Sequence, residues 1–169
     1  MIPSWDLVIG IFLAIGIGYA FLLGREKILT TIVSTYIGFV IATIWGDAFT
    51  KFLSMIPQDT VQNNATSFTV KVGLFAIFTI LLTLKGGYGA KPSGAKSLIE
   101  MGATGLLGLL NGTFVIASVL SFATEKSIST IATASKIATY AQYYSTWWIV
   151  LPALVILGLS FLTPPPPKD

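Results

Sequence analysis

Four stretches of the chain, roughly residues 5–23, 28–46, 68–84 and 101–123, run nearly free of charge for the length needed to cross a bilayer. An α-helix rising 1.5 Å per residue takes about 20 residues to traverse about 30 Å of hydrocarbon. Inside lipid the backbone has no water to bond, so a single segment must satisfy its own N–H and C=O groups, and the α-helix does this. A fifth run, "STWWIVLPALVILGLSFLT" at 145–163, is also apolar enough to cross and should kink at Pro152. "TPPPPKD" then stops it, because proline cannot continue the hydrogen-bond ladder. The expected fold is all-α: a polytopic helical membrane protein with four to five transmembrane helices, forming one integral membrane domain over 1–169.

Composition agrees and removes whole classes of function. Charged residues make up 10% of the chain, against about a quarter in a soluble domain. No polar stretch is long enough for a separate soluble domain. The chain has no cysteine and no histidine, so disulfides, thiolate chemistry, imidazole ligands and the usual general base are excluded. Asp and Glu remain as ligands for a hard cation. A net charge of +3, dispersed along the chain, does not suggest nucleic acid. The opening "MIPSWDLVIG" carries no Lys or Arg and no small-residue cleavage site follows, so the first run reads as a retained helix.

The loop "KGGYGAKPSGAKS" at 85–97 would match the pattern of a phosphate-binding loop if Ala95 were deleted. A working loop of that kind follows a strand and opens a soluble helix, with an acidic strand elsewhere to hold magnesium. Here an apolar span precedes it and Lys96 is out of register, so neither a nucleotide nor any other cofactor is expected. Its lysines suit the positive side of a membrane. Arg25, Lys27, Lys85, Lys91, Lys96 and Lys168 would face the cytoplasm if the N-terminus is outside, leaving Lys51, Lys71, Lys126 and Lys136 on the other side. Trp5, Trp45, Trp147 and Trp148 would then gather at the outer interface, where indole rings are favoured. "DAFTKFLSMIP" spaces Phe49, Phe52, Leu53 and Ile56 as a short helix lying in that interface. "SISTIATASKIATYAQYY" is too polar for an easy span and reads as a surface helix or a re-entrant segment.

Small residues recur at spacing four: Gly10, Ala14 and Gly18 in the first span, then Thr30, Ser34, Gly38, Ala42 and Gly46 in the second. In the fourth they are Thr104, Gly108 and Gly112. Lipid tails are as apolar as leucine, so membrane helices associate by close packing and polar contact, and small ridges let backbones approach. These ladders are expected to pack helix on helix, within the chain or between copies. Asp6 and Glu100 each stand four residues before a ladder. They are either first-turn caps, where free N–H groups favour a negative charge, or functional carboxylates near opposite faces. Asn111, near the middle of the fourth span, either bonds a neighbouring helix or lines a polar passage. Ser34, Ser118 and Ser121 have no histidine or mid-membrane lysine to activate them, so no enzyme is expected.

The chain resembles the colicin V production (CvpA-like) family of bacterial inner-membrane proteins. The resemblance rests on Trp5–Asp6 opening the first span, Gly24 in "GREK", a tryptophan at the far end of the second span, and the series Glu100, Thr104, Gly108, Asn111, Gly112. It covers roughly residues 4–123, with Thr104 where glycine is usual and Asn111 where arginine is common. It implies a non-enzymatic protein of the bacterial inner membrane, concerned with peptide-toxin production or export and with envelope homeostasis. Such a protein would act as a homo-oligomer or within a membrane complex. The competing expectation is a small channel or solute permease whose passage runs past Asn111.

Overall fold

The computed structural model describes residues 5–55, 67–86, 98–123 and 136–162. All regular structure among them is helical: α1 (Trp5–Leu23), α2 (Arg25–Ser54), α3 (Ser67–Gly86), α4 (Leu98–Phe122), α5 (Lys136–Tyr143) and α6 (Ser145–Leu162). Four of these, α1 to α4, are long and apolar enough to cross a membrane. The loop at 87–97, the "NNAT" stretch and the proline-rich end fall outside the described residues, as does the part of "SISTIATASKIATYAQYY" before Lys136.

One residue separates α1 from α2. Gly24 sits at φ 77° and ψ 171°, a backbone region essentially reserved for glycine, and it reverses the chain there. Its N–H donates to Ala20 O at 2.9 Å and its C=O accepts from Ile28 N–H at 3.1 Å, so the reversal leaves both of its backbone polar groups paired.

The helix α2 differs from expectation at its far end. It continues unbroken through "DAFTKFLS" to Ser54, where a separate interfacial helix was expected, and Ile56 lies outside the described residues. No proline interrupts this stretch. Thr50 Oγ1 donates to Gly46 O at 2.8 Å, which keeps the side chain on the helix. Thirty residues make a rod of about 45 Å, longer than the hydrocarbon slab. Polar groups tie down that overhang. Lys71 Nζ stands 2.9 Å from Asp47 Oδ1, and Ser67 Oγ donates to the same oxygen at 2.8 Å.

Contacts fix the directions of the helices. Successive residues of α2 going up meet successive residues of α3 going down: Thr30 lies by Gly86, Gly38 by Thr79, and Gly46 by Lys71. The α1–α4 pair is antiparallel in the same way, with Leu13 by Gly112 and Phe21 by Gly105. The helices α2 and α4 run parallel, Thr35 meeting Asn111 and Phe39 reaching both Phe114 and Phe122. Because α6 contacts Tyr36 through Ile149 and Ala153, and the deeper cluster through Val155 and Ile156, it is antiparallel to α2. The innermost cluster joins Ala20, Ile28, Ile32 and Leu107, with Leu29, Tyr36, Val155 and Ile156 packed against it. Rings extend it toward the other end of the bundle: Tyr36 on Phe114 at 4.3 Å, Phe39 on Phe122 at 5.7 Å, and Phe75 on Phe122 at 6.0 Å.

Candidate functional site

Small residues bring both α1 to α4 and α2 to α3 into close approach. A methyl group placed on Gly108 would lie 2.5 Å from Ala20 Cβ, 3.0 Å from Gly16 O and 3.2 Å from Ile17 Cα, so the backbones touch at this point. A methyl on Gly112 would meet Leu13 Cδ2 at 3.2 Å. On α2, a methyl on Gly38 would run into Thr79 and stand 3.1 Å from Phe75 O, while Gly46 is covered by the methylenes of Lys71. Ser34 and Ala42 are buried on the same helix, and Ser34 Oγ donates to Thr30 O at 2.9 Å.

The ladder expected on α1 is the exception. Gly10, Ala14 and Gly18 lie on the exposed side, and a methyl added to Gly10 or Gly18 would have no neighbour within 4 Å. The helix turns Gly16 and Ala20 to α4 instead, and Gly24 continues that row. Residues 16 and 18 are two apart, which is about 200° around a helix, so the two rows lie on opposite faces. The second row has the same spacing of four and was there to be found. What selects it is its partner, the Gly108–Gly112 ridge of α4.

The three polar candidates have separate settings. Asp6 Oδ1 accepts the Ile137 N–H at 3.1 Å, at the first turn of α5, so this carboxylate serves another helix's N-terminus. Glu100 is exposed at the start of α4, and its carbonyl accepts from Thr104 Oγ1 at 2.7 Å. With α1 and α4 antiparallel, the two carboxylates stand at opposite ends of the bundle. Asn111 lies between α2 and α4, with its side-chain Oδ1 3.1 Å from Thr35 Oγ1, which in turn is 2.8 Å from Thr31 O. One hydroxyl proton cannot serve both oxygens. Thr35 Oγ1 donates to Thr31 O or to Asn111 Oδ1 in alternation, both lying within hydrogen-bonding distance. Asn111 thereby stitches two helices together.

Tyr36, which no sequence pattern marks, bonds the backbone of α6. Its hydroxyl donates to Ile149 O and accepts the Ala153 N–H at 3.2 Å. Those are the acceptor and donor of one i→i−4 bond in α6, and Pro152 stands directly before the donor. A proline ring pushes away the preceding turn and breaks the ladder there. The N–H that Pro152 lacks would have served Trp148 O, and Tyr36 bonds the next rung, Ile149 O and Ala153 N–H, from the side. No local signal could have found it, since the partners are more than a hundred residues apart.

Among the described residues no group of three or more His, Cys, Asp or Glu could hold a metal ion. A small apolar pocket between α1, α4, α5 and α6 is lined by Ile9, Leu13, Thr113, Ile116, Tyr140 and Trp148, among others. An open groove of about 350 Å³ between α2 and α3 is lined by Ile41, Trp45, Phe49, Leu74 and Phe78. Thr35 with Asn111, Tyr36 with α6, Asp47 with Lys71 and Ser67, and Asp6 with α5 each join one helix to another.

Fold and site together define a helical membrane protein, assembled by backbone contact at glycines and by hydroxyl and amide bonds between helices. No family model matches the chain, and no curated protein or solved structure matches it either.

Proposed function

We propose that this chain is a non-enzymatic, multi-pass protein of the bacterial inner membrane that acts through helix packing. It has its N-terminus outside, α6 serves as a fifth span, and its role lies in peptide-toxin (colicin V-like) production or export, or in envelope homeostasis. The observation that carries this reading is the α1–α4 contact. The residues behind the resemblance, Trp5–Asp6 at the head of α1 and Glu100, Thr104, Gly108 and Gly112 along α4, belong to two helices that meet backbone to backbone at Gly108. The outward row Gly10, Ala14 and Gly18 leaves room for a closely packed neighbour, which supports a homo-oligomer or a subunit of a larger membrane complex. Asn111 is engaged by Thr35, which favours a joining role over the alternative of a channel or permease passage at that residue.

The test uses a deletion strain of the source bacterium carrying a colicin V-type toxin, complemented with wild-type protein or Gly108→Leu. Toxin export and envelope integrity restored by wild type and lost with Gly108→Leu would support the proposal. Unchanged export and envelope in the deletion strain, together with solute flux through liposomes that Asn111→Leu abolishes, would establish the permease instead.

A further inference from the structure

We draw no further inference here: the strongest candidate, the apolar groove between α2 and α3 lined by Ile41, Trp45, Phe49, Leu74 and Phe78, carries nothing, because nothing in the structure shows what covers it.

Discussion

Replacing Gly108 by alanine tests the central packing argument with a single methyl group. That methyl would sit 2.5 Å from Ala20 Cβ, where carbon atoms rest at about 3.5–4.0 Å, so α1 and α4 must part locally by about 1–1.5 Å. The nearest atoms cannot swing away. Ala20 has no rotatable side chain beyond its methyl, and Gly16 O and Ile17 Cα are backbone at 3.0 and 3.2 Å. Forcing an extra carbon into a packed contact costs about 1–3 kcal/mol. Alanine's better helix propensity returns up to about 1 kcal/mol and does so equally at any helical glycine. Gly18→Ala is therefore the matched control, because nothing lies within 4 Å of the added methyl and only the propensity gain remains. Thermal unfolding of the purified protein in one detergent should give a lower midpoint for Gly108→Ala and an unchanged or higher one for Gly18→Ala. Equal stability of Gly108→Ala and wild type would refute the backbone contact. A loss for Gly18→Ala as large as that for Gly108→Ala would show that the outward face of α1 is also occupied in the isolated protein.

Two further outcomes follow from the polar contacts. Asn111→Leu should cost about 1 kcal/mol in detergent unfolding, since Thr35 keeps its bond to Thr31 O when the amide is gone, and adding Thr35→Val should cost little more; strongly additive losses would mean the two side chains do not share one interaction. Lys71 contributes its methylenes over Gly46 as well as its charge to Asp47, so Lys71→Met should melt close to wild type and Lys71→Ala below it. Matching losses in both variants would place the effect in the ion pair, and added salt should then lower the wild-type midpoint toward theirs.

The helices were legible because the bilayer leaves so few choices. A charge-poor run of the right length has to be a helix, and α1 and α3 begin and end within two residues of the expected spans. Where α2 stops was harder, since hydropathy marks the edge of the lipid and says nothing about how far a helix continues into water. Asp47 and Lys51 read as the end of a span, yet neither is a helix breaker. The burial of Ser34, Gly38 and Ala42 follows one row of small residues with no rival on α2. On α1 two rows have equal spacing, Gly10–Ala14–Gly18 and Gly16–Ala20–Gly24, and periodicity alone cannot rank them. The choice is made by α4, which is a tertiary fact. Pro152 marked a weak rung of α6 in the sequence, while the Tyr36 hydroxyl that bonds beside it lies on another helix and leaves no mark near the proline.

These contacts make α2 the element on which the others are set. Its small row receives α3, Thr35 and Phe39 receive α4, Tyr36 holds α6, and Ile28 and Ile32 sit in the central cluster. Each attachment uses a different part of the helix surface, and each depends on a short-range contact that weakens steeply with distance, because lipid offers no hydrophobic force to gather helices from afar. A rotation of α2 by one residue, about 100°, would withdraw Gly38 from Thr79, Thr35 from Asn111 and Tyr36 from Ile149 together. The orientation of α2 is thus over-determined by three unlike partners. The helix α1 is joined directly to it through Gly24, so the placement of α1 against α4 is set from the same origin.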